Sequence, residues 1–380
     1  MDYLFSDEQL AFRDKITRWT RDSLTPLASV FDGSDNPSPE LFKMMADEGL
    51  FRVMMPKEFG GGETIRCVDA CIVREGLSRV CSMADVAFAM QSLSAYPIIQ
   101  YGNEIQKKKY LPPIAAGEKI ASFALSEPEA GSDVAGMKTQ AVLDGAEYVL
   151  NGEKMWATRG HAADIFVVFA KTDPPSRGKG ISAFIVEKGV PGFEGHDLVP
   201  LMDVHGVGHL RFKNCRVPAE NLLGKEGQGM KVGLGNLDMF RPTVGAAAVG
   251  LSQRAFEEAL NRAKVRTAFN RPISDFQITQ FKLADMATSL QAARLMVYHA
   301  ALLKDKHGDP KEQIKAASMA KVFATEACAE IVDEAVQIHG GTGLVKGVPV
   351  ERLYRQARLM RIYEGTSEIQ PITIARSLLK

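Results

Sequence analysis

Apolar residues recur at helical spacing toward both ends of the chain and at alternating spacing through its middle. In the first third, Phe12, Ile16 and Trp19 fall on one face of a 3.6-residue repeat, which predicts an amphipathic helix. Ser6 and Gln9 have the spacing of a capping box, in which each side chain satisfies the other residue's orphan N–H. Phe5 and Leu10 have the spacing of a hydrophobic staple. Pro26 is expected to close this region, because its ring and missing N–H oppose helix continuation. Ser38-Pro39-Glu40 opens a second helix, with proline at the first helical position and an acid in the first turn. Leu41, Met44, Met45 and Leu50 supply its apolar face, and Gly60-Gly61-Gly62 breaks the pattern.

The period changes near residue 121. Tyr148-Val149-Leu150 and Lys154-Met155-Trp156 flank Asn151-Gly152, a dipeptide favoured where two successive residues must hold positive φ, so a type I′ hairpin is predicted there. Further strands are predicted at 165–169, 181–186 and 210–212, separated by turn residues such as Pro174-Pro175 and Pro191-Gly192. Helical periodicity returns in long segments over 229–268, 276–305 and 310–339, where Ala246-Ala247-Ala248 and Gly250 would let helices approach closely. The expectation is an α+β chain with an N-terminal helical domain (1–120), a middle antiparallel β-domain (121–228) and a C-terminal domain built as a four-helix bundle (229–380).

Composition narrows the functional classes. The 380 residues suffice for two or three domains, and 46% apolar with 24% charged residues is the balance of an ordinary globular protein. Lys plus Arg equals Asp plus Glu at 46 each, so bulk charge gives no attraction for nucleic acid. No basic start followed by an apolar run marks a secretory signal, and no stretch approaches the roughly 18–20 apolar residues of a membrane span. The cysteines Cys67, Cys71, Cys81, Cys215 and Cys328 are odd in number and contain no CxxC pair. They are expected to be small buried residues in a reducing cytoplasm, although a processed organelle-matrix chain would look the same.

Familiar signatures are missing. Gly341-Thr342-Gly343 lacks the third glycine of a dinucleotide fingerprint and any βαβ context. His205 and His209 are four apart, but Gly206-Val207-Gly208 between them argues against a metal-binding helix, and no metal site is expected. The informative segments are Leu125-Ser126-Glu127-Pro128-Glu129-Ala130-Gly131-Ser132-Asp133, Trp156-Ala157-Thr158, Arg266-Thr267-Ala268-Phe269, Gln337-Ile338-His339-Gly340-Gly341 and Tyr363-Glu364-Gly365-Thr366-Ser367-Glu368. Gly131-Ser132 can bring backbone donors close to an anion or a polar ring edge. Trp156 has two readings, a core residue or a ring stacked on a flat cofactor. Glu364 also has two, a surface carboxylate or a base beside Gly365, which permits close approach of a ligand.

In combination and order these segments resemble the acyl-CoA dehydrogenase family, and the resemblance spans essentially the whole chain. It implies FAD held between subunits of a homo-oligomer, usually a tetramer. By position, Phe123, Leu125, Ser126, Gly131 and Ser132 would line the flavin, Trp156 and Thr158 would meet its ring, and Ser132 would also face substrate. Arg266, Phe269 and Gln277, with Gln337 and Gly341, would form the cross-subunit grip on FAD, to which Thr366 and Glu368 would add contacts. Asp238 and Arg241 resemble CoA-side residues, and Gly365 would lie beside the acyl group. The implied reaction is α-proton abstraction by Glu364 with β-hydride transfer to the flavin, giving a 2,3-enoyl-CoA, and electron-transferring flavoprotein is the implied acceptor. The weakly acidic α-carbon needs its carbonyl polarised by preorganised donors and a base whose pKa a dry pocket has raised.

The chain departs from the family pattern at four places. Asn270 stands where glycine is common, Ser126 where threonine is commoner, and the segment 202–210 is short and lacks a Ser/Thr pair. Asp85 falls on an early helix that lines the acyl pocket in the family, near the place where glutaryl-type members carry arginine. An acid there disfavours dicarboxyl-CoA and favours short, branched or alicyclic acyl groups. The plain alternative is that Asp85 caps a helix or faces solvent. Three other functions stay open at this level: the reverse, enoyl-CoA reductase direction, a flavin monooxygenase on the same fold, and a non-catalytic relative.

Overall fold

The computed structural model describes residues 2–203 and 205–379. Its helices are α1 (Asp7–Trp19), α2 (Ala28–Phe31), α3 (Pro39–Asp47), α4 (Cys67–Ser78), α5 (Ser82–Tyr101), α6 (Glu104–Ala115), α7 (Gly229–Val265), α8 (Gln277–Asp305), α9 (Pro310–His339), α10 (Pro349–Met360) and α11 (Ile369–Leu379). Its strands are β1 (Ala121–Ala124), β2 (Gln140–Asp144), β3 (Glu147–Thr158), β4 (Ile165–Lys171), β5 (Ile181–Glu187), β6 (Phe193–Val199), β7 (Val207–Pro218), β8 (Leu222–Leu223), β9 (Thr267–Ala268) and β10 (Arg271–Pro272). Helices toward both ends of the chain with a sheet between them in sequence match the expected α+β class. The chain packs as two compact units, a helical one (Met1–Ser29, Arg66–Asp85, Asp238–Lys380) and a sheet-bearing one (Val30–Ile65, Val86–Leu237).

In the helical unit α1 opens with the expected capping box: Ser6 Oγ accepts the Gln9 N–H at 3.3 Å and Gln9 Oε1 accepts the Ser6 N–H at 3.0 Å. Pro26 does not stop the winding. A π turn at Thr20–Leu24 leads into a 3-10 turn at Thr25–Leu27, whose first turn needs no N–H from proline. The start of α4 lacks a cap of its own. Asp305, at the end of α8, supplies one by accepting the Cys67 and Val68 N–H groups at 2.6 and 3.1 Å. The three long predicted helices appear as α7, α8 and α9, with ends shifted by at most three residues. Ala246, Ala247 and Ala248 are fully buried, and a Cβ added at Gly250 would lie 2.1 Å from Ser78 Oγ, so α7 and α4 do pack closely.

In the other unit Ser38 caps α3 by accepting the Leu41 N–H, and Pro39 sits in its first turn as predicted. An eight-stranded sheet runs in the order β6-β7-β3-β2-β4-β5-β8, with β1 beside β4. The predicted strands at 165–169, 181–186 and 210–212 lie within β4, β5 and β7. β1 pairs with β4 in parallel, so the sheet is mixed rather than purely antiparallel. Its alternating residues bury on both faces. Phe166, Phe184, Phe193 and Phe212 form one cluster, while Val167, Phe169 and Ile185 pack with Tyr110, Leu111 and Ile114 of α6 in another.

The hairpin predicted at Asn151-Gly152 is not there. β2 turns into β3 where Asp144 pairs with Glu147, and β3 continues straight through residues 151 and 152. Its register against β7 slips between Leu150 and Gly152, which makes the dipeptide a bulge. Gly152 holds φ 140°, and a Cβ there would lie 2.6 Å from Thr139 Cα, so glycine serves close strand approach instead of a turn. All five cysteines are buried and free. Among the described residues no helix is long and apolar enough to cross a membrane.

Candidate active site

Between α10 and α11 the chain makes a tight turn that carries Glu364. Glu364 has φ 53° and Gly365 has φ 94°, so two successive residues are left-handed, a conformation that strains a glutamate. Two fully buried side chains hold this turn. Lys321 of α9 donates from Nζ to the Gly365 carbonyl at 2.8 Å. Gln370 of α11 donates from Nε2 to the carbonyls of Gly365 and Glu364 at 3.0 and 3.3 Å. A Cβ at position 365 would lie 2.5 Å from Gln370 Nε2, so a side chain is disfavoured beside Glu364. The Glu326 carboxylate ties Ser367 to Arg361, and the Ser367 N–H returns to the Arg361 carbonyl at 3.0 Å.

The Glu364 side chain keeps partial solvent contact, but its Oε2 is shut off from water and accepts no hydrogen bond from a described residue. Burial pushes the carboxyl pKa up, and this outweighs the downward pull of Arg74, Lys321 and Arg241. Each arginine is already engaged. Arg74 forks onto Asp85, Nε to Oδ1 and Nη2 to Oδ2, both at 2.8 Å, and its Nη1 reaches Thr243 Oγ1 at 3.1 Å. Arg241 Nη1 meets Asp238 Oδ1 at 2.6 Å. Burial pushes the Lys321 ammonium down to about 8.

Asp85 therefore neither faces solvent nor stands as a bare acid. It is 3% exposed, and both carboxylate oxygens are committed to Arg74. The expectation that Asp85 caps a helix or faces solvent did not allow for a partner eleven residues earlier, on α4.

The predicted ring-binding residues lie in the sheet-bearing unit. Phe123 is in β1, and Leu125 and Ser126 follow β1; all three are half-buried, while Gly131 and Ser132 are exposed. The Ser126 carbonyl accepts the Met155 N–H at 3.0 Å, which fastens this loop to β3. A second register slip in β3, between Lys154 and Ala157, contains Trp156 at φ 65° with 51% of its surface exposed. Trp156 is thus not a core residue: the bulge turns its indole outward. Thr158 lies two residues on, with its hydroxyl 3.4 Å from His205 Nε2. Beneath them Lys154 is fully buried, bonded to Glu127 at 2.7 Å and to the Leu125 carbonyl at 3.1 Å. His209 instead pairs with Glu153 at 2.7 Å, so the two histidines are not drawn to one point. The backbone N–H groups of His205 and Gly206 both donate to Asp35 Oδ1, at 3.1 and 3.0 Å, pinning the short 202–210 segment, in which residue 204 lies outside the described residues.

The remaining predicted residues sit on the helical unit. Arg266 and Phe269 share the β9–β10 hairpin, Gln277 is the first residue of α8, and Gln337 and Gly341 flank the end of α9; all five are exposed. Thr366 is half-buried and Glu368 exposed, beside Glu364 in sequence. Phe269 and Asn270 hold φ 50° and 61° between the paired residues Ala268 and Arg271. The type I′ geometry expected at Asn151-Gly152 is found here, and asparagine tolerates it in place of glycine.

Sequence reasoning missed Arg74, Lys321, Gln370 and Lys154. A signal existed for Lys321. The buried stripe of α9 reads Ala317, Lys321, Ala324, Cys328, Ile331, Ala335, and a lysine on that seam is out of pattern.

Models of the acyl-CoA dehydrogenase N-terminal, middle and C-terminal domains match residues 6–118, 122–215 and 227–379. The chain belongs to the acyl-CoA dehydrogenase family. It is 41% identical over 377 residues to an acyl-CoA dehydrogenase of Bacillus subtilis (strain 168), covering 98% of each chain. Butyryl-CoA dehydrogenase from Megasphaera elsdenii superposes with TM-score 0.94 at 35% identity, over 100% of both chains. A solved structure of PigA with FAD and proline gives TM-score 0.94 at 28% identity, over 100% of this chain and 99% of that one. The protein is an acyl-CoA dehydrogenase, an oxidoreductase with FAD as cofactor. Its residues fit that cofactor. The exposed indole of Trp156 offers a flat apolar face, and nothing lies within 4 Å of a Cβ built on Gly131 or Gly341, which leaves room for a ligand against the backbone.

Proposed function

We propose that Glu364 removes the α-proton of an acyl-CoA thioester as the β-hydrogen departs as hydride, giving a 2,3-enoyl-CoA. Bound FAD supplies the hydride acceptor. The observation that carries this reading is the Glu364 carboxylate itself: Oε2 is desolvated and lacks a hydrogen-bond partner, and the backbone that bears it is strained. A carboxylate deprived of water holds a proton more tightly and is a stronger base. Trp156, Thr158, Phe123, Leu125, Ser126, Gly131 and Ser132 would hold the flavin. Arg266, Phe269, Gln277, Gln337, Gly341, Thr366 and Glu368 would hold FAD across subunits of a homotetramer. An electron-transferring flavoprotein would be the electron acceptor.

Short, branched or alicyclic acyl groups are favoured over dicarboxylic ones. Arg74 is committed to Asp85 through both carboxylate oxygens, so the free carboxylate of a dicarboxylic acyl group gains no partner from it. Asp238, Arg241, Gly365 and Ser132 are the proposed substrate contacts, and Asp85 acts on the substrate only through Arg74.

The test is anaerobic bleaching of the flavin by a panel of acyl-CoA thioesters, with wild type and Glu364→Gln compared. The variant should keep FAD and bind ligand while losing at least about 10²-fold in reduction rate. Near-normal turnover by Glu364→Gln would refute the assignment. Because burial raises the Glu364 pKa, kcat/KM of the wild type should fall as pH drops through that raised value, where the base is already protonated.

A further inference from the structure

We propose that Lys321 and Gln370 are positioning residues, which lock the peptide between Glu364 and Gly365 so that the carboxylate meets the thioester in a single orientation. The proposal rests on Glu364 being the base.

The argument begins with what the helix seam would otherwise hold. Lys321 is fully buried on the stripe that also carries Ala317, Ala324 and Cys328. An apolar residue of similar length would fill that place without bringing a charge out of water, which costs several kcal/mol per ion. The ammonium's hydrogen-bond acceptor is the Gly365 carbonyl, not a carboxylate. Gln370, also fully buried, gives its amide to the same carbonyl and to that of Glu364. Three hydrogen bonds from two buried side chains thus converge on two adjacent carbonyls. These are the carbonyls of the two left-handed residues.

Left-handed backbone at a glutamate costs of order 1–3 kcal/mol and persists only where surroundings enforce it. Without the two donors the carbonyls would lose the side-chain partners that hold them, and the turn would relax toward ordinary φ. Relaxation at residue 364 swings the side chain, and a displacement of about 1 Å can cost as much as 10²-fold in rate. The Lys321 charge adds a second effect, since a buried cation near Glu364 favours its ionised form. Of the proposed substrate contacts only Gly365 is bonded by either residue, through its carbonyl, and neither residue bonds the side chains of Asp238, Arg241 or Ser132.

Lys321→Met should therefore lower kcat by about 10- to 100-fold while KM changes by less than about twofold. The Glu364 titration should move upward, because the attracting charge is gone. That titration can be followed by ¹³C NMR of labelled glutamate carboxyls, with the signal assigned by its loss in Glu364→Gln. Gln370→Met removes donors and no charge. It should lower kcat about tenfold at constant KM and leave the titration in place. A purely structural role would reduce thermal stability and flavin content but leave kcat per bound flavin and the titration unchanged. Wild-type kcat per bound flavin with an unmoved Glu364 signal in Lys321→Met would overturn the proposal. If that variant does not fold, wild-type kcat in Gln370→Met would do the same. Failure of the base assignment would show separately, as turnover by Glu364→Gln.

Discussion

Among the described residues the sheet-bearing unit and the helical unit each bury one lysine, and burial pushes both ammonium groups down to about 8. Their partners differ. Lys154 meets the Glu127 carboxylate at 2.7 Å, and Glu127 also accepts the Thr139 N–H at 3.0 Å. A cation met by its own carboxylate exerts little field beyond the pair, so Lys154 acts as a fastener that joins β3 to the loop carrying Leu125 and Ser126. Lys321 bonds to a peptide carbonyl, and its charge is left to act on Glu364. The same residue type at the same depth, with the same depressed proton affinity, meets a carboxylate in one place and a peptide carbonyl in the other. The acceptor, not the size of the pKa shift, separates the two roles.

Breaking each partnership sharpens that contrast. Lys154→Met leaves Glu127 buried without its cation, and stability should fall by about 3–5 kcal/mol in denaturant unfolding. Adding Glu127→Leu should recover most of that loss. Lys321→Met strands no bonded carboxylate, so its stability loss should be clearly smaller. If the two methionine variants lose equal stability, the contrast fails. Gly152→Ala tests the sheet from another direction. Its Cβ would press on backbone at Thr139, and about 1–3 kcal/mol should be lost, with activity per bound flavin retained.

The smallest effect belongs to the helical unit. A carboxyl whose pKa is raised by folding contributes stability below its unfolded pKa and loses it as pH rises through the folded value. Glu364→Gln escapes that loss. It should therefore melt about 2 °C higher than wild type near pH 8 and show no advantage near pH 4. Equal melting temperatures at both pH values would mean that the carboxylate is solvated.

Local signals were legible wherever one short segment decides the outcome. Ser6 with Gln9, Ser38 with Pro39, and the stripes of α8 and α9 each carry their instruction within a few residues. Asn151-Gly152 misled because the same dipeptide serves a hairpin turn or a bulge, and only the approach of Thr139 chooses between them. Asp85 misled for a related reason. Its meaning depends on Arg74, which lies on another helix, and an ion pair between helices leaves no periodic trace. The order of motifs pointed to the carboxylate at 364. The side chains that grip its backbone come from α9 and α11, and only folding brings them to it.

The two register slips in β3 have a consequence for the whole sheet. Side chains along a strand alternate in parity, and each slip resets the count, so Lys154 stays inside while Trp156 is thrown out only two places later. Deleting or inserting one residue between 151 and 156 would invert the parity of everything downstream on that strand. The indole would then point into the protein and the alanine at 157 would come to the surface. Such length changes should be absent from working relatives in this short stretch, even where its amino acids vary freely.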